Sequence, residues 1–136
     1  MPRRRGVRKM ALEMLYERDV AGIPLEELLE SHSGDPASER AGGLVRGVEE
    51  RREDIDRLIT AYAHAWSVPR MPVIDRNLLR LAILELLYLA DVPPAVVINE
   101  AVELAKRYST EDSSRFVNGV LGRILDQEKS RVREAT

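Results

Sequence analysis

Apolar residues recur along this chain at helical spacing and nowhere alternate with polar ones at the spacing of a strand. Val7, Met10, Ala11, Met14 and Leu15 form the first stripe, which predicts a helix starting near residues 4–7 with both methionines in the core. Ala21-Gly22 reads as its stop, with glycine in the left-handed position just past a C-terminus. Pro24 opens a short helix through Leu25, Leu28 and Leu29. Ser33-Gly34-Asp35-Pro36 is a loop from which Asp35 caps a third helix, with Pro36 in its first turn and Ala41, Leu44, Val45 and Val48 on one face. The run Glu49 to Asp56, EERREDID, alternates in sign like a solvated helical face. Ile55, Leu58, Ile59, Tyr62 and Trp66 then start a stripe out of phase with the previous one. Two helices are therefore expected across 37–66, with the break in the charge run.

Ser67 to Pro72 is a loop, and Val73 to Leu89 is apolar nearly all round, the mark of a central helix. Pro93 and Pro94 open a helix with Val97, Ile98, Ala101, Leu104, Ala105 and Tyr108 on one side. The corner Ser109-Thr110-Glu111-Asp112 leads into another, carrying Phe116, Val117, Val120, Leu121, Ile124 and Leu125. Ser109 and Asp112 match the spacing of a capping box. Gly119 and Gly122 each cost about 1 kcal/mol relative to alanine in a helix, which suggests that another backbone approaches there. Asn99 and Asn118 adjoin the stripes and are expected to satisfy backbone groups of a neighbouring helix. The residues from 126 onward are mostly charged and expected to fray. The class is all-α, with Leu15, Leu81, Leu84, Leu104, Phe116, Val120 and Leu121 expected in the core.

Composition narrows the picture. A length of 136 residues favours one domain, 1–136, and 44% hydrophobic residues with few aromatics give a mostly aliphatic core. The absence of cysteine excludes disulfides and thiolate metal sites and fits a reducing, cytoplasmic setting. The N-terminus lacks the apolar run of a secretory signal. The most apolar segment, Val73 to Ala90, is interrupted by Asp75, Arg76, Arg80 and Glu85, so no membrane span is expected. A net charge of −2 hides an asymmetry: Arg3, Arg4, Arg5, Arg8 and Lys9 give residues 1–9 five cations and no acid. Such a basic arm on an acidic body fits an anionic partner met locally, or equally a solvated tail. On the first helix's register Arg4, Arg5, Arg8 and Lys9 cluster away from the core. Cations at a helix N-terminus oppose the macrodipole by about 0.3–1 kcal/mol, a penalty that an anionic ligand removes.

Catalytic chemistry is missing. There is no glycine-rich phosphate loop and no metal-ligand cluster, His32 and His64 are isolated, and Ser113 and Ser114 have no base partner in sequence. Glu100 and Glu103 share a helix face and read as a solubility pair tied to Lys106 or Arg107. No enzyme, cofactor or metal is expected.

The segments INEAVELAKRY (Ile98 to Tyr108) and EDSSRFVNGVLGRI (Glu111 to Ile124) follow one another in an order and spacing that resembles the NusB family of transcription antitermination factors. The resemblance extends to IDRNLLRLAILELLYLADVP upstream and to the basic N-terminus followed by an apolar helix ending in Leu15-Tyr16. It implies about seven helices in two small bundles packed together. It also implies binding of boxA-type single-stranded RNA in nascent ribosomal RNA transcripts, together with the small-subunit ribosomal protein that doubles as NusE, on RNA polymerase with the other Nus factors. A homodimer burying the arginine-rich surface is an alternative assembly. Single strands are held by backbone charge plus stacking on unstacked bases. Arg3, Arg4, Arg5, Arg8 and Lys9 are the expected source of charge and Tyr16 of a stacking face. The resemblance puts Asp112 near the RNA, where its carboxylate would repel phosphate. Asp75 and Arg76, at the head of the central helix, are the expected partner-binding pair, beside the simpler reading of a first-turn charge pattern. Two alternatives stand: a protein-only module of NusB-like fold whose arm meets an acidic protein, and the NusB-like domain that precedes an RNA methyltransferase. Against the latter, 136 residues are expected to leave no room for a cofactor-binding domain.

Overall fold

The computed structural model describes residues 2–64, 66–89, 92–128 and 130–131, with the side chains of residues 2–4 outside the description. Seven α-helices are found among these residues, and no strand: α1 (Pro2–Ala21), α2 (Leu25–Ser31), α3 (Pro36–Glu50), α4 (Arg52–Tyr62), α5 (Val73–Tyr88), α6 (Pro94–Tyr108) and α7 (Glu111–Gln127), with a 3-10 turn at Val68–Arg70. None of the described helices is long and apolar enough to cross a membrane.

The punctuation follows from local chemistry. Gly22 sits at φ +68° just past α1, a conformation that glycine adopts without a Cβ penalty. Asp35 caps α3 by accepting from the Ser38 N–H, with Pro36 next to it. The break between α3 and α4 falls at Arg51, inside the charge run. Pro24 and Pro93 precede α2 and α6 in extended backbone, as residues without an N–H to lose.

Helix α5 is the axis. It packs against α1, α3, α4, α6 and α7, while α1 packs on α3 and α6 on α7. Burial all round gives it a run of core leucines and isoleucines from Leu78 to Leu87. Gly47 of α3 lets the two helices close up, since a Cβ there would lie 3.0 Å from Leu84 Cδ2. Of the expected core, Leu15, Leu81, Leu84, Leu104, Val120 and Leu121 are buried. Phe116 is only half-buried, packed edge-on against the exposed Trp66 with centroids 5.0 Å apart.

Three local expectations are corrected. Gly119 and Gly122 mark no close approach: a Cβ at Gly122 would meet nothing within 4 Å, and one at Gly119 only the flexible end of Arg123. Asn99 and Asn118 are exposed rather than turned onto a neighbouring helix. The α7 cap is Thr110, whose hydroxyl accepts from the Ser113 N–H, so Ser109 and Asp112 form no capping box. The C-terminal segment is tied down as far as it is described: Tyr62 donates to Glu128, and Arg131 pairs with Asp54 and Tyr88. Residues 129 and 132–136 of the expected fraying tail lie outside the described residues.

Candidate nucleic-acid interface

The first helix carries the expected basic residues and Tyr16, and its packing on α5, with side chains reaching across to α6, sorts them into different roles. Arg3 and Arg4 lie outside the described side chains. Arg5 is half-exposed and donates from Nε and Nη2 to the two carboxylate oxygens of Glu100 on α6, both at 2.8 Å. That contact, with the nearby charge of Arg8, holds the Glu100 carboxyl below the usual carboxylate range against the opposing effect of burial. Arg8 does not join a surface cluster. It is 4% exposed and donates from Nε and Nη2 to Glu85 of α5, again at 2.8 Å each. The reason is register: Arg8 follows Val7 on the side of α1 that meets α5, where Glu85 receives it, with Glu100 Oε1 4.0 Å from its remaining nitrogen, Nη1.

Lys9 points the other way. Its ammonium lies 5.9 Å from the centre of the Tyr108 ring, within cation–π range. Tyr16, two turns along α1, is 42% exposed. Together with Leu12, Glu13, Glu17, His32 and Ile74, these residues line an open groove between α1 and the end of α6. His32 reaches Glu17 at 2.8 Å, so its place beside the Ser33-Gly34 loop is an edge of this groove. The groove thus offers one ammonium over the Tyr108 ring and a second aromatic face at Tyr16, with carboxylates from Glu13 and Glu17 in its lining. Tyr108 lines this groove although it ends an apolar stripe and reads as core in the sequence. Its 37% exposure comes from sitting on the last turn of α6, where no helix covers it.

Asp75 and Arg76, expected at the head of the central helix as partner contacts, are both engaged within the chain. Asp75 is fully buried and accepts from Ser109 Oγ at 2.9 Å and Ser113 Oγ at 2.8 Å, so it pins the α6–α7 corner to the head of α5. Arg76 donates from Nε and Nη2 to Asp19 of α1 at 2.7 and 2.6 Å. Asp19 also accepts from Asn77 and Arg80, and Arg80 continues to Asp56 of α4. Burial pushes the Asp19 carboxyl up, but the Arg76 and Asn77 hydrogen bonds and the charges of Arg76 and Arg80 outweigh it and hold the group at about 2. Both residues expected at an interface are therefore internal ties. Asp112 is on the surface, in the first turn of α7, and accepts from Arg115 at 2.6 Å.

Among the described residues no cluster of acidic or histidine side chains has the arrangement of a metal site. What the face presents is the Lys9 ammonium and two exposed tyrosine rings, set against the carboxylates of Glu13 and Glu17.

The sequence model described as the NusB family matches residues 5–126. The transcription antitermination protein NusB of Salinispora tropica is 48% identical over 132 residues, covering 93% of this chain and 97% of that protein. Among solved structures, T. maritima NusB superposes with a TM-score of 0.83 at 42% identity, covering 93% of this chain and 92% of the other. A structure of antitermination factors NusB and NusE in complex with double-stranded RNA matches with a TM-score of 0.80 at 33% identity, covering 93% and 98% of the two chains.

Proposed function

This chain belongs to the NusB family of transcription antitermination factors, a family of non-enzymes, and from that premise we propose that it acts by binding boxA-type single-stranded RNA of nascent ribosomal transcripts. In this reading it does so together with a NusE-type ribosomal protein, on RNA polymerase with the other Nus factors. The observation that carries the RNA contact is the exposed grouping of Lys9, Tyr16 and Tyr108 along α1 and the end of α6. Aromatic faces stack on bases of any sequence, at about 1–3 kcal/mol per base, and a neighbouring ammonium neutralises backbone phosphate. Arg5 lies one turn before Lys9, and Arg3 and Arg4 extend the basic run towards the N-terminus. Asp112, at the head of α7, sets a carboxylate near the same end of α6, where it opposes phosphate. A related NusB has been solved with NusE and RNA, which supports the same pairing of partners here.

Titration of a labelled boxA-type RNA and a scrambled control, with and without the NusE-type protein, tests this. Preferential binding of the boxA-type strand, strengthened by the protein partner, is expected. Log K should fall with log salt by about 0.7 per neutralised phosphate. Equal or absent binding of both strands would favour the protein-only module. The pairing of Arg5 and Arg8 with internal acids speaks for that module, because it leaves fewer cations free than the sequence suggests.

A further inference from the structure

We propose that Glu100 is a built-in competitor of RNA phosphate for Arg5, and that Arg8 is the cation that keeps Glu100 once Arg5 has left it. The proposal rests on the RNA reading above and adds a residue that sets how strongly, and how selectively, the basic end of α1 takes a polyanion.

The argument starts from the edge of the guanidinium. Arg5 presents Nε and Nη2 to Oε1 and Oε2 of Glu100, both at 2.8 Å. This paired-donor edge is one that grips a phosphate with two parallel hydrogen bonds. A carboxylate and a phosphate cannot share it, since both are anionic acceptors. In the free protein that gripping edge of Arg5 is therefore occupied. Access is unequal: the Arg5 side chain is 46% exposed and that of Glu100 15%. Phosphate can thus reach the arginine, while the acid stays against the helix.

The second half concerns what becomes of Glu100. An acid stripped of its only cation would resist the exchange, but Glu100 has another. Arg8 spends Nε and Nη2 on Glu85 and keeps Nη1, which faces Glu100 Oε1 at 4.0 Å. A small rotation of the Glu100 carboxylate brings it into hydrogen-bond range of that nitrogen. Arg8, buried and fixed by Glu85, cannot follow Arg5 outward, so it remains as the receiver. Arg5 therefore passes from one anion to another at little cost, but with little gain. A contact of low net value lets the strand be chosen by other features, such as stacking on Tyr16, and holds off polyanions that offer charge alone. Glu103, one turn further along α6, is tied to Lys106 at 3.7 Å and serves as the control acid.

The test measures anisotropy of a fluorescein-labelled boxA-type RNA with the full chain at low and moderate salt, for the parent, Glu100→Gln, Arg5→Ala, the double variant and Glu103→Gln. Glu100→Gln should bind about two- to fivefold more tightly at low salt, the span of a partly exposed ion pair, with the gain shrinking as salt rises. Arg5→Ala should abolish that gain, so that the double variant binds as Arg5→Ala does. Glu103→Gln should have the smaller effect, and thermal melts should stay within a degree or so of the parent, roughly the shift of a surface substitution. Unchanged or weaker binding by Glu100→Gln, or a gain that survives Arg5→Ala, overturns the proposal. A parent chain that binds no RNA removes the RNA reading and this inference with it, a result distinct from a parent that binds and a Glu100→Gln that does no better.

Discussion

Replacing Asp19 by alanine strips Arg76 of the carboxylate that accepts both its Nε and Nη2 bonds while leaving Arg80 its two bonds to Asp56. Arg76 then keeps the carbonyls of Val68 and Pro69, at 3.4 and 3.2 Å, as weak acceptors. Removing one member of a fully dry pair costs about 3–5 kcal/mol, because the remaining charge is left uncompensated. Here the two side chains are 13% and 16% exposed, so water can reach the orphaned guanidinium. The expected loss is smaller, about 2–3 kcal/mol, read as a lower urea midpoint by circular dichroism at unchanged slope. The acid limb gives a second reading. The Asp19 carboxyl is lowered from 3.8 to about 2, so its stabilising effect is complete above the higher value and is lost as pH falls towards the lower one. That shift corresponds to about 2 kcal/mol before allowing for residual solvent. Asp19→Asn should therefore be least damaging near pH 2 and most damaging above pH 4. A loss below about 1 kcal/mol for Asp19→Ala at neutral pH, or an Asp19→Asn penalty that does not shrink in acid, would refute the reasoning.

Phe116→Ala should cost about 1.5–3 kcal/mol rather than the 3–5 of a fully buried ring, and should red-shift the emission of Trp66, the sole tryptophan, as its packing partner is lost. Thr110→Ala should cost about 0.5–2 kcal/mol in a thermal melt, since it removes the α7 cap, whereas Asp112→Ala should stay within about 0.5 kcal/mol of the parent. Asp112→Asn should tighten RNA binding at low salt, and an unchanged affinity there would separate this corner from the RNA. Gly122→Ala should stabilise by about 0.5–1 kcal/mol, because a helix residue gains propensity with nothing to strike; a destabilised variant would mean that something does approach that face.

The helix count, the cap at Asp35, the start at Pro24, the stop at Gly22 and a break within the charge run were legible because each depends on a few neighbouring residues. What failed depends on groups far apart in sequence. Asp75 at a helix start reads as a surface charge until Ser109 and Ser113, 34 and 38 residues later, close over it. Arg8 looks like one of a basic cluster until Glu85, 77 residues on, draws it inward. For Gly119 and Gly122 the sequence shows only the helix cost, and cost does not say which helix face is covered. The grouping proposed to meet RNA was half legible as a surface: Lys9 and Tyr16, expected from the basic run and the Leu15-Tyr16 motif, are both exposed. Tyr108 could be joined to them only once α6 was laid against α1.

The RNA contact itself is tested most directly by titrating boxA-type RNA against Lys9→Ala and Tyr16→Ala over a range of salt. Both side chains are exposed, so neither variant should melt much earlier than the parent. Tyr16→Ala should weaken binding by roughly 5- to 150-fold at an unchanged salt slope, the loss of one stacked base. Lys9→Ala should lower the affinity and reduce the slope by about 0.7, the loss of one phosphate contact. Two variants that bind as the parent does, at the parent's slope, would contradict the assignment of this face to RNA.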